Sequence, residues 1–348
     1  MNIFENRLFQ ILLSPFSIFY GIIIWIRNKL YDNKIFRSLK IEKCKVISIG
    51  NISVGGTGKT PVIKFLANYL SEMGYKAAIL SRGYRRSSKD TVIVADGKQI
   101  LVGLEQAGDE PLLLAQQLKN IPVVVESDRY NGALKIQEQF RPDIILLDDA
   151  FQHRRLHRDF DIVLVDASVG FGRGLLLPAG FLREPIKNLK RADLIWITRI
   201  DQSKNLENLI RQIRGYSSAP IIKSEHCAIE IIQANSKQRY QLSYLNQKKV
   251  LLFSGIANPI SLEKTVIDLG GKIVHHLKFS DHYHYHQTDI NRIINKAGDS
   301  DAEIILTTEK DFVRIMDLIE NITNIFYLTI EIQISNHIDV LKHELTHL

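Results

Sequence analysis

Residues 46–60 read VISIGNISVGGTGKT, an apolar strand pattern running straight into a glycine-rich loop and the start of a helix. Gly55, Gly56 and Gly58 let the backbone turn its N–H groups toward an anion. Lys59 adds a point charge, and Thr60 offers a hydroxyl of the kind that holds Mg²⁺ beside nucleotide phosphates. Ser53, Val54 and Thr57 complete the loop expected to close around those phosphates. The strict spacing G-x4-G-K-[ST] puts glycine at position 53, where this chain has Ser53. A bare glycine turn would leave Lys59 and Thr60 unexplained, whereas a phosphate cradle requires both. Pro61 then falls in the first helical turn, where its missing N–H costs nothing, and residues 62–70 continue as an amphipathic helix.

Outward from this loop, short apolar runs at 77–80, 122–125, 143–147, 162–165 and 194–197 alternate with helical stretches. That alternation predicts an α/β fold with one doubly wound, mostly parallel sheet, of the kind seen in P-loop NTPases. Around 215–250 the pattern turns polar, and the runs 229–234 and 238–242 read as a small hairpin or linker. A second, smaller α/β unit follows, with strands at 250–254, 272–276 and 303–307 and helices at 259–269 and 288–297.

With 348 residues and 45% hydrophobic content the chain can bury a full core and is long enough for two domains. Its 45 Lys and Arg against 38 Asp and Glu give a net charge of +7, a bias toward anionic partners that does not choose among phosphorylated substrate, anionic lipid and nucleic acid. No nucleic-acid motif accompanies the charge. Cys44 and Cys227 stand far apart and outside any C-x-x-C pattern, which argues against a disulfide framework or a zinc site and for a reducing cytoplasm.

The amino-terminal stretch 8–26 holds 19 residues without a charge, between Arg7 and the pair Arg27 and Lys29. On length alone it qualifies as a spanning helix. Gln10, Ser14, Ser17, Gly21 and Asn28, however, fall on one helical stripe, with the aromatic and isoleucine residues elsewhere. Three arrangements follow: a helix lying in a membrane surface with Trp25 as interfacial anchor, a true span, or an apolar helix packed on the protein's own core. Pro15 and the lack of a small-residue cleavage site speak against a secretory signal.

The run 143–149, DIILLDD, ends an apolar strand in Asp148 and Asp149, as a strand does when it delivers a carboxylate to the Mg²⁺ beside a P-loop. Gln152 and His153 follow at the same strand end, where open α/β sheets bind ligands. Asp109 and Glu110 precede the apolar run 112–118, and Arg129 lies just past a strand; singly, each is as well explained by a helix cap or a surface pair. The loop 170–185, GFGRGLLLPAGFLREP, embeds Arg173 and Arg183 in apolar surroundings, and its length suggests function. In FSDHYHYH, residues 279–286, His282, His284 and His286 alternate; a metal cluster and a single imidazole serving as base or orienter both account for them.

Taken together, GNISVGGTGKTP at 50–61, SRGYRR at 81–86, GDEP at 108–111, SDRY at 127–130, DDAFQHRRL at 148–156, the loop 170–185, FSGIANP at 253–259 and FSDHYHY at 279–285 resemble the tetraacyldisaccharide 4'-kinases, the lipid A 4'-kinases of Gram-negative bacteria. The resemblance runs over nearly the whole chain. It implies transfer of the ATP γ-phosphate to the 4'-hydroxyl of a tetraacyl glucosamine disaccharide 1-phosphate, giving lipid IVA. It places the enzyme peripherally, as a monotopic protein, on the cytoplasmic face of the inner membrane, with the lipid disaccharide and that membrane surface as partners and no nucleic acid or obligate protein partner.

Carried over by motif, Lys59 and Thr60 would hold ATP phosphates and Mg²⁺, with Asp148, Asp149 and Glu110 completing the metal environment. Asp109 would act at the sugar hydroxyl and His282 would orient it, while Arg129 and Arg183 would stabilise phosphates and Tyr84, Gln152 and His153 would line the cleft. The implied division is a membrane-associating helix over 1–30, a P-loop kinase core over 31–220, a linker hairpin over 221–248 and a smaller α/β domain over 249–348 that closes the cleft. The competing reading is a P-loop GTPase or metal-insertion chaperone, since Thr198, Arg199, Ile200 and Asp201 imitate a guanine-reading motif with arginine in place of its lysine. A non-enzymatic membrane-bound nucleotide switch is the third.

Overall fold

Strand β1 (Lys45–Asn51) is buried at every residue after the first, because helices cover both faces of the sheet around it. It pairs in parallel with β5 (Ile144–Asp148) on one side and β6 (Phe160–Asp166) on the other. Beyond β5 come β2 (Ala77–Ser81) and β4 (Pro122–Val125), also parallel, and then the antiparallel edge strand β3 (Val92–Asp96). Beyond β6 come β7 (Leu194–Thr198) and the first residues of β8 (Ile221–Gln233). The switch in chain direction between β5, β1 and β6 opens a crevice at their carboxyl ends, where the glycine loop lies. The computed structural model describes residues 7–84, 86–88, 90–320, 322–336 and 338–346; residues 1–6 of the expected membrane-associating helix, and Arg85 of the 81–86 motif, lie outside the described residues.

The helices of this half are α1 (Arg7–Asp32), α2 (Lys59–Glu72), the short α3 (Leu104–Ala107), α4 (Asp109–Gln117), α5 (Arg129–Phe140) and α6 (Leu206–Arg214). Helix α4 starts three residues earlier than its apolar run suggests, so Asp109 and Glu110 occupy its first turn, where the helix dipole favours negative charge. In the second half, β10 (Lys249–Ser254) lies between β11 (Lys272–Lys278) and β12 (Ile304–Thr308), all parallel. The long strand β13 (Ile325–Asn336) follows β12, and helices α7 (Pro259–Asp268), α8 (Gln287–Asp299), α9 (Glu309–Ile315) and α10 (Ile338–Thr346) complete the unit.

Strand β8 departs from expectation. The run 229–234, read as one arm of a small hairpin or linker, is the end of a 13-residue strand, and the arm 238–242 contains only the two-residue β9 (Arg239–Tyr240). Parallel to β7 at its start, β8 then pairs antiparallel with β13 from Lys223 to Gln233, so one sheet continues through both halves. Much of β8 is only half-buried, so it carries none of the continuous apolar signal that marks the other strands.

Helix α1 is amphipathic in the inverted sense. Its buried residues are Gln10, Ser17, Ile24 and Asn28, largely the polar stripe, while Leu8 is 79% exposed, Ile11 70% and Phe19 65%. The stripe docks on the loop 170–185: Ser17 Oγ donates to the Leu176 carbonyl at 2.9 Å and accepts from the Ala179 N–H at 2.9 Å. Tyr20 donates to the Arg183 carbonyl, and Arg27 and Asn28 reach the fully buried carboxylate of Glu184. Apart from Ile24, its large apolar residues mostly face outward, so an apolar helix packed on the protein's own core, one of the three arrangements open above, does not describe it.

Candidate active site

The glycine loop is built from strain that only glycine tolerates at two points. Gly55 and Gly58 have φ of 106° and 83°, and a Cβ on Gly58 would lie 2.7 Å from the His226 ring. Helix α2 starts at the next residue, so its unpaired N–H groups face the crevice, and Thr60 is buried in the first turn. The loop is braced from outside: Asn51 Nδ2 donates to Thr57 Oγ1, Thr198 Oγ1 to the Thr57 carbonyl, and Arg199 to the Gly56 carbonyl at 2.8 Å. Ser53 and Val54 were expected in the loop around the phosphates; the Val54 N–H instead donates to the Phe181 carbonyl at 2.8 Å, and Ser53 bridges to Leu182. Arg199, the residue that imitates a guanine-reading lysine, spends its guanidinium on Gly56 and Asp166.

Behind the loop stands the acidic end of β5. Asp149, held at φ 51°, lies 3.4 Å from Lys59 Nζ and accepts from Arg183 on both oxygens at 2.9 Å. Burial acts against its charge, but Lys59 and Arg183 outweigh it and hold the carboxyl well below the usual range. Asp148 differs. Burial first, then the nearby carboxylates of Glu110 and Asp149, push it up to about 6 against the pull of Lys59 and of the Ser81 hydroxyl at 2.8 Å. Crowded carboxylates beside a P-loop lysine are the hard oxygen donors that Mg²⁺ takes, so the residues fit that ion. Among the described residues no three acidic, histidine or cysteine side chains form a ready cage, so an ion here would also draw on the Thr60 hydroxyl, phosphate oxygens and water.

Arg129 was expected at a phosphate. Its side chain is instead buried, donating to the main-chain carbonyls of Glu126 at 2.6 Å and Asp148 at 3.1 Å, so it fixes the strand end that presents the acids. Gln152 likewise turns to the main chain, donating to the Asn51 carbonyl at 2.8 Å. His153 is half-buried; burial and the charge of Arg129 pull it down to about 4, leaving it neutral.

The two halves meet at α4. His282 Nδ1 donates to Asp109 Oδ2 at 2.7 Å, across 173 residues of sequence, and the Tyr84 ring lies edge-on to His282 with centroids 5.3 Å apart. Arg314 of α9 places two N–H groups on the same oxygen, one of them at 2.8 Å, and Lys310 pairs with Glu110. Burial raises the Asp109 carboxyl, but the His282 hydrogen bond and the Arg314 charge outweigh it and hold it well below the usual range. His282 is raised in turn, by that hydrogen bond against its own burial. His284 and His286 stack on each other, 5.1 Å apart, and do not join His282.

Sequence reasoning missed Arg199, His226, Lys310 and Arg314. The first imitated another motif, and His226 lies in the strand read as a linker. Lys310 and Arg314 sit in TTEKDFVR, residues 307–314, whose charges look like an ordinary solvated helix until α9 is packed against α4.

The sequence model of the family described as tetraacyldisaccharide-1-P 4'-kinase matches residues 9–347. A protein of Syntrophus aciditrophicus (strain SB) named tetraacyldisaccharide 4'-kinase is 37% identical over 342 residues, covering 94% of this chain and 90% of its own. A protein of the same name from Pelobacter propionicus is 38% identical over 308 residues, covering 88% and 83%. Among solved structures, LpxK from Aquifex aeolicus in complex with ATP superimposes with a TM-score of 0.78 at 33% identity, over 97% of this chain and 98% of that one. With a match over nearly its whole length and relatives above 30% identity, the chain belongs to the tetraacyldisaccharide-1-P 4'-kinase family.

Proposed function

We propose that this protein transfers the γ-phosphoryl group of Mg²⁺-ATP to the 4'-hydroxyl of a tetraacyl glucosamine disaccharide 1-phosphate, working peripherally at the cytoplasmic face of the inner membrane. Membership of the family makes it an ATP-dependent kinase of lipid A biosynthesis; the assignments of residues, ion and membrane are our own reading. One observation carries it. A buried aspartate, Asp109, is gripped by a histidine and an arginine from the other half of the chain, and its neighbour Glu110 lies within the field of the lysine that would hold ATP.

Phosphoryl transfer needs positioning, charge neutralisation and a group to receive the hydroxyl proton. The amides of Gly55, Gly56 and Gly58 and the Lys59 ammonium would cradle the β- and γ-phosphates, while the Thr57 N–H, which donates to the Gly55 carbonyl at 3.1 Å, shapes the loop, and Arg183 would neutralise charge beside Asp149. Thr60, Asp148, Asp149 and Glu110 would hold Mg²⁺, which when bound supplies further neutralisation of the phosphate oxygens. Asp109 would accept the proton of the sugar hydroxyl with His282 as its orienter, and Tyr84, Gln152 and His153 would shape the cleft around the sugar. We take residues 31–220 as the kinase core and 249–348 as the domain that closes on it, with 221–248 between them.

The reading of α1, within residues 1–30, rests on its inverted amphipathicity. The helix is apolar enough over Arg7–Asp32 to cross a membrane by length and composition. Its polar stripe is nonetheless committed to the protein along much of its length, leaving an apolar face and Trp25 for a lipid surface. An enzyme whose acceptor is an amphiphile gains from being held where that acceptor sits.

Purified protein incubated with labelled ATP and, separately, a tetraacyl disaccharide 1-phosphate, a monoacyl sugar or no acceptor tests the reading. Label is expected on the tetraacyl lipid alone; label released only as free phosphate, equally with and without lipid, would refute it.

A further inference from the structure

We infer that Arg314 is a third member of the unit that holds Asp109, a positioning residue that directs one particular carboxylate oxygen, Oδ1, at the acceptor hydroxyl. This rests on the reading of Asp109 as the proton acceptor and goes beyond it. Oδ2 of Asp109 receives His282 Nδ1 at 2.7 Å, Arg314 Nε at 2.8 Å and a further N–H from Arg314 Nη2. Those three donors saturate it. Among the described residues Oδ1 accepts the N–H of Glu110, at 3.0 Å, and no other hydrogen bond, which keeps a lone pair for a hydroxyl proton.

The arginine is itself fixed. Its Nη1 donates to the Gly255 carbonyl at 2.8 Å and to Asp311 Oδ1 at 3.0 Å, and its side chain is only 5% exposed. Asp311 accepts in turn from the Gly255 N–H, the Tyr285 hydroxyl and Thr308 Oγ1, so the guanidinium is anchored to the ends of β10 and β12 rather than to a mobile surface. A planar fork held in this way fixes the rotation of the carboxylate it grips, which a single histidine hydrogen bond does not. In the step it serves, the hydroxyl proton passes to Asp109 Oδ1 while the hydroxyl oxygen bonds to the γ-phosphorus. The bond from that phosphorus to the β–γ bridging oxygen breaks, and its electron pair leaves with ADP.

The test uses the full chain, with single-turnover transfer to tetraacyl disaccharide 1-phosphate in detergent micelles and a separate ATP titration. We expect Arg314→Gln to lower kcat by about 10²-fold with KM for lipid and Kd for ATP within about threefold, Arg314→Lys to recover about a tenth of the wild-type rate, and Arg314→Gln to cost less than about threefold in an Asp109→Asn background. If Arg314→Gln does not bind ATP, and so has not folded, Arg314→Lys carries the test: a turnover equal to wild type would overturn the inference, since one ammonium cannot place two N–H groups on Oδ2 and hold Gly255. Loss of lipid or ATP affinity with kcat intact, or multiplication of the two substitutions as independent sites, would also overturn it. Full activity in Asp109→Asn alone would instead remove the proton-acceptor reading on which it stands.

Discussion

Removing the Glu184 carboxylate should loosen α1 from the body of the protein. Glu184 is fully buried and takes four donors: Arg27 at 2.9 Å, Asn28 at 3.3 Å, Asn188 at 2.6 Å and Arg191 at 2.7 Å. Two of the four come from α1. Taking one partner from a buried ion pair typically costs about 3–5 kcal/mol, because the charge left behind stays desolvated. The Arg27 side chain is 29% exposed and recovers some hydration, whereas that of Arg191 is only 14% exposed. The lower end of the range is therefore expected for Glu184→Ala, about 3 kcal/mol, with Glu184→Gln near half of that because it keeps an acceptor oxygen. Limited proteolysis of the segment after α1 and a denaturant unfolding curve would read the effect, and cleavage should speed up in both variants in that order. Turnover should also fall, on the order of tenfold, because Tyr20 of α1 holds the carbonyl of Arg183, whose guanidinium grips Asp149. An unfolding curve and a cleavage rate equal to wild type in Glu184→Ala would show that α1 is not held by this carboxylate.

Three other outcomes follow from the geometry. Gly58→Ala should weaken ATP binding by about tenfold or more, since the left-handed backbone costs about 1–2 kcal/mol for any other residue and the new Cβ meets His226 at 2.7 Å; unchanged affinity in an ATP titration would contradict the packing. His226 is pulled down to about 3 by burial and then by the charge of Arg199, so it is neutral in the folded state at neutral pH. Because its folded pKa lies below its unfolded one, that contribution is complete above about pH 6.5 and is lost as pH falls toward 3, roughly 2 kcal/mol by pH 5. Unfolding curves at pH 8 and pH 5 should show this loss in the wild type and a smaller one in His226→Gln; equal losses would refute it. Phe16→Ser with Phe19→Ser should cut sedimentation with phospholipid vesicles by at least about tenfold, each phenyl being worth about 1.5 kcal/mol or more on transfer, while ATP affinity stays the same; undiminished sedimentation would move the membrane contact elsewhere.

The legible parts of this chain are those where burial on both faces leaves a continuous apolar run, such as 143–147 and 194–197, or where a backbone conformation demands a residue, as at Gly55 and Gly58. In the second α/β unit the five elements from β10 to β12 fall where expected, with ends shifted by at most two residues, whereas α9, β13 and α10 were not read from the sequence. Strand β8 was not, since half-exposed residues such as Glu225 and Lys223 alternate along it, and its partner β13 lies about a hundred residues away. In α1 the sequence displayed the stripe correctly but not which side faced the protein, because its partners are main-chain groups of the loop 170–185, which leave no trace in composition, and one carboxylate, Glu184, more than 150 residues away. At the site, Asp109 and His282 came from the resemblance, and their meeting depends on α9 packing against α4. Arg314 was invisible because its role is defined by the oxygen it shares with His282.

The most direct measurement concerns the pair that joins the two halves of the chain. Single-turnover rates for Asp109→Ala, His282→Ala and the double variant, with saturating ATP and tetraacyl disaccharide 1-phosphate, ask whether one aspartate and one histidine 173 residues away act as a unit. Each single substitution should slow transfer by about 10²–10⁴-fold with ATP affinity little changed, and the double should be hardly slower than the poorer single. Independent multiplication of the two losses, or full activity in His282→Ala, would contradict a shared role in receiving the hydroxyl proton and leave His282 as a contact between the two halves.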